Sequence, residues 1–296
     1  MGTPLASALV MDDVEKALAT IDDWGADHGA TAFVGPSGIM AQHGEVDRPF
    51  RWASVTKLAT ALAILSAVED ALIDLDEPAG PPDATVRHLL AHASGLPFEG
   101  DVPIAGPGTR RIYSNAGFDA LGELLAQRTG RSFPEELDRR VLDPLRMSAT
   151  DLIGRPSEGL NGPLTDFVAL AHELLRPTIV RQDTLGLATS VAFPGLKGLL
   201  PGVGTFDPLD WGLGFEIRDD KRPHWTGTRN SPSTFGHFGG AGTFLWVDPA
   251  LDRSLVCLTD REYGPWALEA WPAYSDRVIA SSDSTADARA TGRSAG

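Results

Sequence analysis

A serine and a lysine stand three residues apart in Ser54-Val-Thr-Lys57, at the head of an apolar run, and a tyrosine follows in Tyr113-Ser-Asn115. These are the side chains of a nucleophile and its proton carriers. A serine hydroxyl is a weak nucleophile at neutral pH and needs a base within hydrogen-bond reach. On a helix, positions i and i+3 share a face, so Lys57 can hold a proton relay beside Ser54. Tyr113 can join that relay, as base or as proton carrier. The chemistry of such a set is acyl transfer through a covalent serine intermediate. Each residue also has a plainer reading: Ser54 as a helix N-cap, Lys57 as a surface lysine, Tyr113 as a buried aromatic. Lysine is scarce here, however, with 4 Lys against 21 Arg.

Counting separates the motifs by weight. With 18 Ser and 4 Lys, an accidental S-x-x-K is expected about 0.24 times. An accidental Y-x-N is expected about 0.03 times, and H-x-G, present as His237-Phe-Gly239, about 0.76 times. Y-x-N is therefore informative, S-x-x-K modestly so, and H-x-G only through its position.

The elements that must position these residues follow from periodicity. The segment 14–24 reads as an amphipathic helix, with strands over 31–34 and 38–43. After Ser54, residues Leu58, Ala61, Leu62, Leu65, Val68 and Leu72 recur at helical spacing, which predicts one core-facing side. Ser54 then sits at a helix amino end, where free N–H groups favour negative charge. Helices are predicted over 86–91, 116–128, 133–140 and 165–175, strands over 211–218, 242–247 and 254–259, and a closing helix over 266–280. Residues 281–296 are small, polar and patternless, which predicts a disordered tail. The expected fold is α+β, a single domain made of an α/β lobe (10–75 and 206–280) with an inserted all-helical lobe (76–205).

Composition agrees with an enzyme. The chain has 296 residues, is 42% hydrophobic and 22% charged, and carries a formal net charge of −15. That charge argues against nucleic acid or an anionic membrane as partner. Cys257 is the single cysteine, so no internal disulfide is expected, and its strand-like surroundings suit a core thiol. The first residues carry no basic n-region and no run approaches transmembrane length, which predicts a cytoplasmic protein. No G-x-S-x-G elbow is present, Gly202-Val-Gly204 lacks a dinucleotide context, and His172-Glu173 lacks the second histidine of a zinc protease. His88 and His92, four apart, are not supported by other ligand types. No cofactor and no metal are expected.

The surrounding segments resemble the serine β-lactamase and penicillin-binding-protein superfamily, in particular its class C, esterase and D-aminopeptidase branch. They are Trp52-Ala-Ser-Val-Thr-Lys57, Leu89-Leu-Ala-His-Ala-Ser-Gly-Leu-Pro97, Tyr113-Ser-Asn-Ala-Gly-Phe118, Leu142-Asp-Pro-Leu-Arg-Met147, Trp211-Gly-Leu-Gly-Phe215 and Phe235-Gly-His-Phe-Gly-Gly-Ala-Gly-Thr-Phe-Leu-Trp-Val-Asp-Pro249. In family order they cover most of residues 10 to 280. The resemblance implies an antiparallel sheet flanked by helices, with the site in a cleft between lobes.

It also implies roles. Ser54 would be the nucleophile, with Lys57 and Tyr113 moving the proton. Asn115 would orient the substrate acyl amide or the lysine. His237-Phe-Gly239 stands where lactamases carry Lys-Thr-Gly, whose lysine helps bind a carboxylate; a largely neutral histidine weakens that recognition. The backbone N–H groups of Gly240 and Ser54 would hold the oxyanion. The expected function is a β-lactamase-family carboxylesterase acting on small esters. A β-lactamase or a D-aminopeptidase or D,D-peptidase-type amidase is the alternative, and a non-catalytic ligand-binding protein is the reading from another class. Specificity is expected in loops 98–108 and 193–210.

Overall fold

The computed structural model describes residues 12 to 291, with side chains through residue 283. A helix α1 over residues 12–18 passes through a 3-10 turn, Ala19–Trp24, into strands β1 (Gly29–Gly35) and β2 (Gly38–Gly44). Strand β3 (Phe50–Arg51) and a 3-10 turn, Ala53–Val55, lead into helix α2 (Thr56–Glu69). Then come α3 (Val86–Leu90), β4 (Arg111–Ile112), α4 (Asn115–Thr129) and α5 (Phe133–Leu137), the last continued by a π-helical turn, Asp138–Leu142. Strands β5 (Asp151–Leu152) and β6 (Leu160–Gly162), helices α6 (Leu164–Leu175) and α7 (Gln182–Ala188), and strands β7 (Gly198–Leu200) and β8 (Gly204–Phe206) follow. Strands β9 (Glu216–Ile217), β10 (Phe235–Gly239), β11 (Thr243–Asp248) and β12 (Arg253–Thr259) precede the closing helix α8 (Pro265–Thr291).

Six strands make one antiparallel sheet in the order β2-β1-β12-β11-β10-β9. The two ends of the chain meet at its centre, where Ala32 pairs with Val256. Side chains alternate across the sheet. Ala32, Leu245, Val256 and Leu258 join the core that holds α2 and α6, whereas Phe33, Phe244, Leu255 and Cys257 join Trp271, Tyr274 and Val278 of α8. Covering on both faces explains why residues 255–258 are apolar without a break.

The fold is a mixed α+β architecture, with four departures from the sequence expectations. The inserted segment is not all helical: strands β4 to β7 and most of β8 lie in it, and β6 pairs with β3, Phe50 opposite Gly162. Strands of two or three residues are too short to show a period. Helix α2 is buried all round rather than on one side, since Thr56 to Leu65 are without exposure. It runs between the sheet and helices α4 and α5 and is apolar on every face for that reason. Helix α8 continues to Thr291, through the first part of the segment expected to lack structure; 292–296 lie outside the described residues. A helix already nucleated by packing adds further turns at little cost.

The predicted strand over 211–218 is also mostly a turn. Gly214 stands at φ 97°, and a Cβ there would come 2.3 Å from the Ala61 methyl. The chain bends there because it must pass against α2.

Candidate active site

Ser54 lies in the 3-10 turn that opens α2 and is partly exposed. Trp52 anchors that turn: its backbone N–H donates to the Leu160 carbonyl (2.9 Å) and its indole to the Gly162 carbonyl (3.1 Å). From β11, Thr243 Oγ1 donates to the Trp52 carbonyl at 2.9 Å. Ala53 is held at φ 46°, a left-handed conformation that costs a non-glycine residue about 1–3 kcal/mol. The strain falls immediately before the serine, and the anchored Trp52 maintains it. Neither the turn nor α2 has a side-chain cap, so the Ser54 hydroxyl is not engaged as one.

Lys57 has no exposure. Its Nζ donates to Asn115 Oδ1 (2.6 Å), the Ser157 carbonyl (2.9 Å) and Ser54 Oγ (3.3 Å). It also stands 4.8 Å from the Tyr113 ring centre and 5.6 Å from that of Phe118. Among the described residues no carboxylate touches it. Burial lowers its pKa from 10.5 to about 7, against the opposing pull of Glu158 and Asp119.

The half-buried Tyr113 follows β4, which Arg111 fixes by donating to the carbonyls of Ala91, Ala192, Phe193 and Leu209. Burial pushes the Tyr113 phenol well up, only partly countered by the Ser54 side chain. His237 on β10 is buried, and burial and then Lys57 push its pKa down to about 3, so the ring is neutral. Its Nδ1–H donates to the Phe238 carbonyl at 2.6 Å. The other nitrogen, Nε2, must then be an acceptor, and it receives the Tyr113 hydroxyl at 3.3 Å. The Tyr113 oxygen keeps its lone pairs for the Ser54 side.

Gly239 packs against the same turn: a Cβ on it would meet the Trp52 carbonyl at 2.4 Å and the Ala53 methyl at 3.1 Å. Gly240 has open space where its Cβ would be. The structure thus brings Ser54, Lys57, Tyr113, Asn115, His237 and the Gly239-Gly240 pair to one place. Asn115 is buried with both amide ends in use, since its Nδ2 donates to Glu99 Oε1 at 3.0 Å. In this state it orients the lysine.

Sequence reading missed what stands behind Asn115. Arg155 donates to Glu99 (2.6 and 2.9 Å), Glu158 (2.7 Å) and Asp119 (3.2 Å). His92 was also missed, its Nδ1 accepting the Ser114 N–H at 3.1 Å and its ring centre 4.6 Å from that of Tyr113. No spacing rule relates residues 99, 119, 155 and 158. A cavity of about 620 Å³ opens beside Glu99, Asp119 and Arg155, and Ser54, Lys57 and Tyr113 do not line it.

Among the described residues, no helix is long and apolar enough to cross a membrane. Comparison with known proteins gives a consistent picture. The Beta-lactamase family model matches residues 40–278. A crystal structure described as a beta-lactamase from Mycobacterium bovis is 50% identical, with a TM-score of 0.88, covering 89% of this chain and 98% of that one. Esterase EstB of Burkholderia gladioli is 27% identical over 78% of this chain and 86% of its own length. The D-alanyl-D-alanine-carboxypeptidase/endopeptidase AmpH of Escherichia coli is 25% identical over 38% of this chain, a match spanning only 39% of the length of AmpH. With the Ser54 turn, the buried Lys57 and Tyr113 in one cluster and the family model covering residues 40–278, the chain belongs to the Beta-lactamase family.

Proposed function

We propose that the protein is a serine hydrolase that forms an acyl-enzyme on Ser54 and acts on small esters. The observation that carries this reading is Lys57, buried and 3.3 Å from Ser54 Oγ, with a pKa lowered to about 7. A neutral lysine has two N–H groups and one lone pair. Asn115 Oδ1, whose amide nitrogen faces Glu99, and the Ser157 carbonyl are both acceptors, so they take the two hydrogens. The lone pair is left for the Ser54 hydroxyl. Lys57 is thus the base, and Tyr113, with its phenol pushed up, carries the proton without staying ionised.

In acylation Ser54 Oγ bonds to the ester carbonyl carbon as its proton passes to Lys57. The backbone N–H groups of Ser54 and Gly240 hold the oxyanion; one such donor typically contributes on the order of 10²–10³ in rate. The alkoxy C–O bond breaks and the leaving oxygen takes the proton through Tyr113. Water then attacks the acyl carbon, gives a proton to Lys57, and the acid departs as Ser54 Oγ is reprotonated. Esters are favoured over β-lactams because the neutral His237 offers no cation to a substrate carboxylate. The similarity to an esterase over most of both chains supports the same preference. A cytoplasmic location goes with this reading, and cell fractionation would test it.

Intact-mass measurement after exposure to a fluorophosphonate tests the reading. One adduct is expected on the wild type and none on Ser54→Ala. Short-chain esters should then be turned over faster than D-amino-acid amides or a chromogenic cephalosporin. A folded wild type that takes no adduct would instead mark a ligand-binding protein on this fold.

A further inference from the structure

Lys57 has two neutral acceptors besides Ser54, and each is held by a carboxylate that Arg155 gathers. Asn115 is held by Glu99 at 3.0 Å and more weakly by Glu158 at 3.5 Å. The Ser157 backbone N–H donates to Asp119 Oδ1 at 3.1 Å, which ties down, from its other side, the residue whose carbonyl receives Lys57. Arg155 bonds all three carboxylates, Glu99 in bidentate fashion, and among the described residues it is the only cation bonded to them. The four groups come from the loop after α3, from α4 and from the 153–159 loop. One guanidinium therefore ties three separate segments to the two oxygens that aim the lysine.

We propose that Arg155 is a positioning residue for the acylation step: it holds Glu99, Glu158 and Asp119 in place, aims the Lys57 nitrogen at Ser54, and offsets the carboxylate charge that would keep that nitrogen protonated. The proposal rests on Lys57 being the base. The charged and titratable groups facing Lys57 are Glu158 and Asp119, which favour its ammonium form, Arg155, which opposes it, and Glu99, which favours it. His92 and His237 also face it, and both are held neutral by burial and by Lys57 itself. Tyr113 presents its ring. Arg155 and the carboxylates act on Lys57 in opposite directions, so the sign of each substitution is determined. Removing Arg155 leaves negative charge facing Lys57 and raises the pH at which it becomes a free base. Removing the charge of Glu158 lowers that pH.

The test is the rate of fluorophosphonate labelling, read by intact mass from pH 5.5 to 9.5, for wild type, Arg155→Gln, Arg155→Lys and Glu158→Gln. The midpoint of the acid limb should rise by about half a pH unit or more in Arg155→Gln and fall by a similar amount in Glu158→Gln. At pH 7, Arg155→Gln should label about two- to fivefold more slowly and recover near pH 9. Arg155→Lys, which keeps the charge but not the fork, should hold the midpoint near that of the wild type. Equal losses at every pH with unmoved midpoints would overturn the proposal and leave Arg155 a structural residue. If Arg155→Gln does not fold, the Glu158→Gln shift decides by itself: no downward movement overturns the proposal. Failure of the wild type to label would overturn the underlying reading, and the proposal with it.

Discussion

The molecule buries two lysines in opposite ways. Lys221, 5% exposed, donates to the Glu216 carboxylate at 2.8 Å and to the carbonyls of Asp210 and Ile217. His224 and Trp225 donate to the same carboxylate. Burial would raise Glu216, but His224 and Lys221 beside it prevail and hold it down to about 2. Lys57 is equally buried but among the described residues touches only uncharged oxygens, and burial brings it to about 7. The difference is one carboxylate in contact. A lysine in direct contact with a carboxylate braces the edge of the sheet at β9; a lysine whose carboxylates stand one residue further away can give up its proton.

Exchanging the two environments gives the largest effect. Lys57→Met should lower the rate of fluorophosphonate labelling by about 10²–10⁴-fold in a protein that still folds. Lys221→Met should instead destabilise the fold by about 3–5 kcal/mol, because it breaks a buried pair, while folded enzyme labels almost normally. Urea melts beside labelling rates separate the two outcomes.

Asn115→Asp sharpens the contrast by giving Lys57 the contact that Lys221 has. The ammonium is then favoured, the acid limb should move up by at least about one pH unit, and labelling at pH 7 should fall about tenfold. Recovery above pH 9 distinguishes this electrostatic effect from misfolding. A variant equally slow at every pH would show that Asn115 acts through shape instead.

The smallest effect is in the wild type. With Lys57 near 7, the required neutral amine predominates above that pH and is lost below it. Labelling should therefore rise through pH 7, fall about tenfold for each unit below pH 6, and be flat from pH 8 to 9. A midpoint near the ordinary lysine value of 10.5 would show that burial does not free Lys57 of its proton.

Much of the frame was legible beforehand because it follows local rules. The alternating and doubly covered strands β1, β2, β11 and β12 are visible as apolar patterns, and Ser54, Lys57 and Tyr113 carry motifs with fixed short spacings. Strand β10 passed unnoticed because two of its five residues are glycines, needed where β10 crosses Trp246 and the Ser54 turn. Strands β3 to β8 were missed for their length, and helix α7 because it makes only about two turns.

The site divides along the same line. The sequence by itself determined which nucleophile and proton carriers are available and that Lys57 shares a helix face with Ser54, since helical geometry sets that relation over three residues. Only the tertiary structure decided that Lys57 is buried against the Asn115 and Ser157 oxygens, that His237 accepts from Tyr113, and that Arg155 gathers the carboxylates behind Asn115. Charge state depends on burial and on neighbours within a few ångströms, and those neighbours come from positions 99, 115, 119, 155 and 158, which meet only when the chain is folded.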